Sequence, residues 1–391
     1  MTFQQLRAAT IGLDPPFGVL DAAALAANAR DLVRRAGGKP VRLATKSVRV
    51  RQVIADVLAT AGWAGLLCYT LPEASWLHSK GFDDLVVGYP TADRQALAAL
   101  AADETAAAAI TVMVDDPAQL DLIDAAAPPP RRPPIRVALD LDAGYRAGPL
   151  AFGALRSPLH TAAEATAFAR LVASRPGFRL TGMMAYESQI AGVGNAGRGL
   201  RPMVVRAMQQ RSAAELAQRR VDVVARVREI ADLEFVNGGG TGSLETTTAE
   251  AGITELAAGS GLFGPGLFDH YRAFHPAHAA FFVLPVVRKP SRSVATLLGG
   301  GWVASGPAGR DRLPVVADPG GLSYVDLEGA GEVQTPLRGR AARALAVGQQ
   351  VWLRHAKAGE LAEHLNELHV VEGDAVSAVL PTYRGEGKAF L

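Results

Sequence analysis

The chain has 391 residues, of which 49% are hydrophobic and 20% are charged, and its net charge is +2. This composition is typical of a globular protein with one large or two medium domains, and it excludes a disordered chain and a small disulfide-stapled module. Because 40 basic residues are nearly balanced by 38 acidic ones, no net field favours a nucleic acid as partner.

Cysteine content and the length of the apolar runs narrow the class further. Cys68 is the only cysteine, which excludes an intramolecular disulfide and a cysteine-rich metal site. The first residues lack the cationic, apolar and small-residue order of a secretory signal, and no apolar run reaches the about 18 residues that span a bilayer. We therefore expect a cytoplasmic protein with no membrane partner.

Eight short apolar runs, rich in Val, Leu and Ile, recur along the chain, and Ala-rich stretches of helical length lie between them. This alternation is typical of a parallel sheet with crossover helices. The runs are VRLAT (41–45), WAGLLCY (63–69), DDLVVGY (83–89), AITVMV (109–114), IRVALDL (135–141), FRLTGMMAY (178–186), LEFVN (233–237) and TELAAGS (254–260).

The segments between these runs each have room for one helix, and several begin at Thr, Ser or Asp-Pro signals suited to a helix start. Predicted helices lie at 51–60, 91–102, 117–126, 161–174 and 213–230. Eight repeats of strand and helix predict an α/β fold of the (β/α)8 TIM barrel type. A doubly wound parallel sheet is the alternative architecture.

The pattern changes after Tyr271. Short apolar runs follow without helical spacers, and Gly- and Pro-rich turns separate them, which predicts an all-β C-terminal domain. The boundaries that we predict are 15–272 for the barrel and 273–391 for the β-rich domain, with residues 1–14 packing on the latter.

Lys46 is one of only six lysines, against 34 arginines, and it directly follows the first apolar run. It is therefore expected at the carboxyl end of a barrel strand, where barrel enzymes place their chemistry. A lysine partly shielded from water there can form a Schiff base with a carbonyl compound. The alternative is a strand-end lysine that points into solvent.

A glycine-rich segment, VNGGGTGS (236–243), follows the seventh run. Gly239 and Gly240 allow the backbone to approach an anion closely, and Thr241 adds a hydroxyl donor, which suits a phosphate held by N–H groups. The alternative is a flexible glycine turn.

A second glycine-rich segment ends the eighth run, at Gly259, Ser260 and Gly261. Phosphate sites in barrels typically use the loops after the last two strands. The two segments together therefore predict one phosphate site.

The order of these features resembles the type III, alanine-racemase-like pyridoxal phosphate enzymes. Residues 15–49 resemble the start of that family, with matches at Asp21, Asn28 and Lys46. DLDAGYRAG (140–148) resembles its acidic strand end, and the two glycine-rich segments resemble its phosphate loop and its last strand. The resemblance covers nearly the whole chain.

The resemblance implies an alanine-racemase-like barrel with a β-rich C-terminal domain, and pyridoxal 5′-phosphate as the cofactor, carried by Lys46. The residues that it implies in cofactor binding are Lys46, Arg146, Tyr186, Gln189, Gly239, Gly240, Thr241, Gly259, Ser260 and Gly261.

The segment MMAYESQ (183–189) ends the sixth run. In the D-threonine aldolase and D-serine dehydratase branch of the family, this place usually has a histidine-containing segment. Tyr186 could stack on the cofactor ring or hydrogen-bond to it, and Glu187 or Gln189 could address the substrate or the ring nitrogen. The alternative is a buried tyrosine whose hydroxyl is satisfied within the protein.

Within the family the chain is most similar to the D-threonine aldolase and D-serine dehydratase branch, whose members include amino acid deaminase/aldolase proteins. This implies a lyase that acts on β-hydroxy D-amino acids such as D-threonine or D-serine, by aldol cleavage or by dehydration and deamination. Two alternatives stay open. One is an amino acid racemase that uses the same cofactor, and the other is a non-catalytic protein that binds it.

The tail departs from that branch at one place. NELHVVEGD (366–374) resembles the acidic segment of the branch, but Tyr383 and Gly385 stand where a metal-binding His-x-Cys pair is usual. We therefore predict no metal ligand at that pair and leave a divalent metal uncertain. His369 is predicted to be a catalytic residue together with Lys46 and Tyr186, with His369 or Tyr383 beside the β-substituent of the substrate.

The partners implied are a small-molecule amino acid and a second copy of the chain. Type III enzymes commonly form homodimers in which the tail of one subunit closes the barrel of the other, so a homodimer is implied by the resemblance.

Overall fold

The computed structural model describes residues 1–357 and 359–391. Contacts divide the chain into two compact units. The first, the tail unit, comprises Met1–Arg30, Ser47–Val57 and Ser260–Ala389; the second, the barrel unit, comprises Asp31–Lys46, Leu58–Gly259 and Phe390–Leu391. The predicted domain boundary at residues 272 and 273 stays a prediction.

The strands are numbered in chain order. They are β1 (Phe17–Asp21), β2 (Val41–Ala44), β3 (Trp63–Cys68), β4 (Leu85–Val87), β5 (Ile110–Val114), β6 (Ile135–Asp140), β7 (Tyr145–Ala147), β8 (Leu150–Phe152), β9 (Phe178–Ala185), β10 (Phe235–Gly238), β11 (Glu255–Ala258), β12 (Ala280–Ser291), β13 (Val294–Leu298), β14 (Val315–Asp318), β15 (Leu322–Tyr324), β16 (Gln334–Gly339), β17 (Gln350–Arg354), β18 (Glu367–Glu372) and β19 (Ala375–Pro381).

The α-helices are numbered in the same way. They are α1 (Phe3–Ala9), α2 (Ala22–Arg35), α3 (Arg51–Leu58), α4 (Leu71–His78), α5 (Arg94–Ala102), α6 (Glu104–Ala109), α7 (Pro117–Ala126), α8 (Ala162–Ser174), α9 (Ser188–Ala191), α10 (Leu200–Arg228), α11 (Leu244–Thr247) and α12 (Glu360–His364). Within the part of the chain that the structure describes, none combines the length and apolar character needed to cross a membrane.

Local sequence signals account for several helix starts. Thr161 begins α8 with a capping box, in which its side chain accepts from the N–H of Glu164 while the glutamate side chain accepts from the N–H of Thr161. Asp116 does the same for α7, with Pro117 in the first turn. Helix α10 starts earlier than predicted, at Leu200, and Pro202 lies in its first turn, where a missing N–H costs nothing.

The barrel unit contains a closed parallel barrel with the strand order β10-β11-β2-β3-β4-β5-β6-β9. Each of the eight predicted runs overlaps one of these strands, so the predicted (β/α)8 barrel is confirmed. The doubly wound alternative is wrong, because the last strand, β11, pairs with the first, β2. A short antiparallel hairpin, β7–β8, extends the loop after β6 and was not predicted.

Side chains fill the inside of the barrel. Phe235 packs with Val86, Met113, Ala138 and Met184 in one buried cluster. Opposite the Phe235 ring lies Gly182, where a Cβ atom would overlap the ring. Glycine at this strand position therefore makes room for the largest side chain of the layer, as close packing requires.

A buried ion pair joins non-adjacent parts of the barrel. The Arg42 guanidinium, 3% exposed, donates to both oxygens of Glu255 at 2.7 and 2.8 Å and to Asp84 at 2.9 Å. Asn237 donates to the same Glu255 carboxylate at 2.8 Å. Strands β2, β10 and β11 and the residue before β4 are thus tied together by fully engaged polar groups.

The tail unit is built on one nine-stranded sheet. Strand β1 lies in the interior of this sheet, where it pairs antiparallel with β12 and parallel with β18. Leu6 of α1 packs with Phe17, Phe281 and Trp352 in the buried core beside this sheet. The strand-rich C-terminal region predicted from the sequence is confirmed.

Removal of the Glu255 carboxylate should destabilise the barrel unit strongly, because Arg42 would stay buried with only part of its charge compensated. We expect Glu255→Ala to lower the free energy of unfolding by about 3–5 kcal/mol. Glu234→Ala is the matched control, since this carboxylate is 46% exposed and pairs with Arg136 at the surface; its loss should cost about 0–1 kcal/mol. Urea unfolding followed by circular dichroism measures both, and equal losses would contradict the assignment.

Candidate active site

Lys46 lies where the sequence predicts it, directly after β2. It belongs to a 3-10 turn, Thr45–Ser47, that Thr45 anchors through a hydrogen bond from its hydroxyl to the Leu67 carbonyl, 3.1 Å. The Lys46 side chain is exposed, and its Nζ atom donates to the Tyr89 hydroxyl at 2.7 Å. A primary amine is thus presented at the carboxyl end of the barrel.

Tyr89 and Arg156 flank the amine, and sequence reasoning missed both. Tyr89 follows β4 and is half-buried, and its ring centroid lies 5.3 Å from Lys46 Nζ and 5.6 Å from Arg156 Cζ. Burial opposes ionisation of the Tyr89 phenol, but the positive charges of Lys46 and Arg156 outweigh burial and lower its pKa. Tyr89 ends a predicted strand, which was a usable signal, whereas Arg156 lies in an irregular segment without one.

The glycine-rich loop after β10 is organised by a buried carboxylate. Glu187 accepts hydrogen bonds from the Gly239 N–H at 3.2 Å, from the Ser243 hydroxyl at 2.6 Å and from the Thr247 hydroxyl. Arg220, also fully buried, pairs with Glu187. Although burial favours the protonated acid, Arg220 and the two hydroxyls hold the pKa of Glu187 below its ordinary value. Through these hydrogen bonds, Glu187 stabilises the conformation of the loop after β10.

Close packing explains why the loop is glycine-rich. Gly239 has a φ of +82°, a backbone conformation that favours glycine. A Cβ atom at Gly240 would lie 3.0 Å from the Tyr186 ring and from Ala191. Thr241 is buried, and its carbonyl accepts from Arg35 at 2.7 Å. The absence of a side chain at Gly240 therefore lets the loop pack closely against Tyr186.

The second glycine-rich segment meets the end of β2. A Cβ atom at Gly259 would overlap the Ala44 carbonyl oxygen, so the chain after β11 passes directly against the strand that leads to Lys46. Strands β10, β11 and β2 are neighbours, and their carboxyl ends bring residues 239–243, Gly259 and Lys46 to one side of the barrel. Ser260 and Gly261 follow in a 3-10 turn, Ser260–Leu262, of the tail unit.

Tyr186 ends β9 and lies against this loop, as the contact with Gly240 shows. Burial, then the negative charge of Glu187, raises the pKa of Tyr186 above its ordinary value. Both effects oppose ionisation of the Tyr186 phenol.

Arg146 and Gln189 have partners within the barrel unit. Arg146, on β7, is 55% exposed and lies 3.4 Å from Asp142, which also accepts from the Gly144 N–H and contacts His160 Nδ1. The buried Gln189 amide donates to the Ala143 carbonyl at 2.7 Å and to Ser212 at 2.9 Å. Their predicted roles in cofactor binding stay predictions.

His369 and Tyr383 belong to the tail unit. His369, on β18, has Nδ1 3.2 Å from the Gly18 carbonyl and its ring edge against Phe17. Tyr383 is buried, and its N–H donates to the Arg49 carbonyl at 2.8 Å. In residues 1–357 and 359–391, no group of three or more His, Cys, Asp or Glu side chains could hold a metal ion. The catalytic role of His369 and the metal expectation stay predictions.

Asp140, at the end of β6, has a raised pKa. Burial raises its pKa to about 7, Asp115 and Asp142 add to the shift, and Arg156 opposes it. The side that carries Lys46 thus also contains a carboxyl group that exchanges its proton near neutral pH.

Asp140 should make folding stability depend on pH. Because the pKa of Asp140 in the folded chain, about 7, exceeds its ordinary value of 3.8, the folded chain binds a proton that the unfolded chain has lost, and stability falls as pH rises between those two values. Asp140→Asn should abolish that loss, so the variant should gain stability relative to the native chain at pH about 8 but not at about 4. Urea unfolding at both pH values measures it, with exposed Asp232→Asn as the charge control. A gain of equal size at both pH values would contradict the prediction.

The chain is similar to a known protein family and to several solved structures. The chain matches the family model of the alanine racemase N-terminal domain over residues 20–265. A solved structure of D-threonine aldolase from Filomicrobium marinum is similar, with 22% identity, a TM-score of 0.78 and 95% of each chain covered. D-threo-3-hydroxyaspartate dehydratase from Delftia sp. HT23 is 20% identical with a TM-score of 0.71, over 96% of this chain and 98% of that one.

Alanine racemase from Corynebacterium glutamicum is a more distant match. It is 17% identical with a TM-score of 0.58, over 87% of this chain and 90% of that one. None of the curated proteins compared with the chain matches it significantly. The resemblance seen in the sequence is confirmed, and the chain belongs to the family defined by the alanine racemase N-terminal domain.

Proposed function

We propose that the chain is a pyridoxal phosphate-dependent lyase that acts on β-hydroxy D-amino acids such as D-threonine or D-serine, by aldol cleavage or by dehydration. The alanine-racemase-like family binds this cofactor. The observation that carries the proposal is the placement of the Lys46 amine beside the glycine-rich ends of β10 and β11. A primary amine next to an anion-binding loop is what a phosphorylated aldehyde requires.

The residues fit the cofactor. Gly240 and Gly259 let the backbone after β10 and β11 pack against Tyr186 and against the end of β2, and the Glu187 contacts hold the loop after β10 in place before a ligand binds. Lys46 would carry the cofactor, and the loop amides with Thr241 would hold its phosphate. The bound cofactor would supply an electron sink for negative charge at the substrate Cα, while the protein selects the bond that breaks.

Two observations favour a lyase over the alternatives. A racemase needs a second base on the face of the ring opposite Lys46, and burial together with the charge of Glu187, which raises the pKa of Tyr186, opposes ionisation of that phenol. The aldolase and the dehydratase, which represent the two reactions proposed, have TM-scores of 0.78 and 0.71, above the 0.58 and 0.64 of alanine racemases from Corynebacterium glutamicum and Bacillus anthracis. The matches to the aldolase and the dehydratase cover 95% and 96% of this chain and so include its strand-rich tail. This tail supports an enzyme over a non-catalytic cofactor carrier. A homodimer remains part of the proposal.

Lys46 should be the residue that carries the cofactor. After incubation with pyridoxal phosphate and reduction with borohydride, peptide mass mapping should find the phosphopyridoxyl group on Lys46. Lys39 is the informative competitor: it precedes β2, at the opposite end of the strand, and its Nζ donates to the Glu250 carbonyl at 2.5 Å. Label on Lys39 or Lys80, or on no lysine, would refute the proposal.

The same preparation tests the reaction. The protein is incubated with a panel of D- and L-amino acids, and aldehyde, keto acid and enantiomer are separated as products. Aldehyde or keto acid from a β-hydroxy D-amino acid is expected, with Lys46→Arg inactive as the control that keeps the charge. Formation of the enantiomer alone would identify a racemase instead.

Thr241 should contribute to phosphate binding. A hydrogen bond to a charged group contributes roughly 1.5–3 kcal/mol, so Thr241→Val should weaken cofactor affinity by about ten- to a hundredfold. Thr166→Val is the matched control, because that hydroxyl donates to the Ala162 carbonyl within α8. Titration of the cofactor-free protein measures both affinities, and an unchanged affinity in Thr241→Val would contradict the assignment.

A further inference from the structure

The Lys46 amine lies at hydrogen-bonding distance from the Tyr89 hydroxyl. Neither the sequence nor the proposed function gives Tyr89 a role. The Lys46 Nζ atom lies 2.7 Å from the Tyr89 hydroxyl oxygen. This distance is within the range of charge-assisted hydrogen bonds, in which a proton is shared between an ionised group and its partner. A lysine that must become a neutral nucleophile has to pass its proton to some acceptor, and Tyr89 is in contact with it.

The charges around Tyr89 favour its anionic form. Lys46 and Arg156 both lie within 6 Å of the ring, at 5.3 and 5.6 Å from its centroid. Burial opposes the phenolate. The two cations prevail, and the pKa of Tyr89 is lowered. The positive charge of Arg156 also interacts with the Asp140 carboxyl group on β6.

We propose that Tyr89 is the proton-exchange partner of Lys46, and that Arg156 is the positioning residue that stabilises the Tyr89 phenolate. The exchange is balanced: the Lys46 ammonium gives one proton to the phenolate, which leaves a neutral amine and a neutral phenol, and the reverse step restores both charges. The inference rests on the proposed function for the reactive role of Lys46. It deepens that function by assigning a second proton-handling group that acts through the lysine.

The geometry also limits what Tyr89 can do. Because its hydroxyl contacts Lys46 Nζ itself, it serves the same face as the lysine and does not supply a base on the opposite face. A proton relay on one face suits bond cleavage followed by protonation, which is the chemistry of a lyase.

The first experiment uses the full chain without cofactor. Tyrosine labelled with carbon-13 at Cζ is titrated by NMR, and the Tyr89 signal is identified by its loss in Tyr89→Phe. In Lys46→Met and in Arg156→Gln the titration midpoint of Tyr89 should rise by about one pH unit, because each variant removes a facing positive charge. Arg170→Gln, which removes an exposed guanidinium on α8, should leave it unchanged. A midpoint that does not move in Lys46→Met would overturn the inference.

The second experiment measures how fast pyridoxal phosphate becomes covalently attached to Lys46, as a function of pH. Tyr89→Phe should slow attachment by about a hundredfold near neutral pH and flatten the pH profile, while equilibrium affinity changes much less. Tyr324→Phe, which removes a hydroxyl that donates to the Pro314 carbonyl in the tail unit, should behave as the native chain does. Native rate and pH profile in Tyr89→Phe would refute the relay. No attachment in the native chain would refute the proposed function, and the NMR titration would still decide whether Lys46 and Tyr89 are coupled.

Discussion

Leu256 and Ala258 of β11 pair with Val41 and Leu43 of β2, so the last barrel strand is hydrogen-bonded to the first. All eight strands are parallel, and closure therefore brings their carboxyl ends to one side of the barrel. Without this pairing, Lys46 and the glycine-rich loop after β10 would lie at opposite edges of an open sheet. The site exists because backbone hydrogen bonds between segments about 200 residues apart close the barrel.

In the barrel unit, arginine side chains pair with buried glutamate carboxylates. Arg42 binds Glu255 through two nitrogens, and Arg220 binds Glu187 and Glu250. The planar guanidinium stays charged and offers several donors at fixed angles, so it can satisfy a buried carboxylate. Lysine is reserved for few positions, and at Lys46 an amine that can lose its proton is what the proposed chemistry needs.

The loop after β10 depends on a residue whose role the sequence suggested differently. The sequence suggests that Glu187 addresses the substrate or the cofactor ring, whereas in the structure it accepts from Gly239, Ser243 and Thr247. Together with Arg220, these donors engage both oxygens of the carboxylate. Its contribution is to hold the loop backbone in one conformation, so that the cost of ordering the loop is met on folding rather than on binding.

The sequence by itself determined the eight strands and the place of Lys46, because apolar periodicity and strand ends are local features read over a few residues. It also indicated both glycine-rich segments, since glycine is required where a Cβ atom would clash. It did not show that β1 lies between β12 and β18 in the tail sheet, nor that Tyr89 meets Lys46, nor that Arg156 lies over the Tyr89 ring. Those contacts join residues far apart in the chain, and only the packing of the folded barrel and sheet decides which side chains face each other.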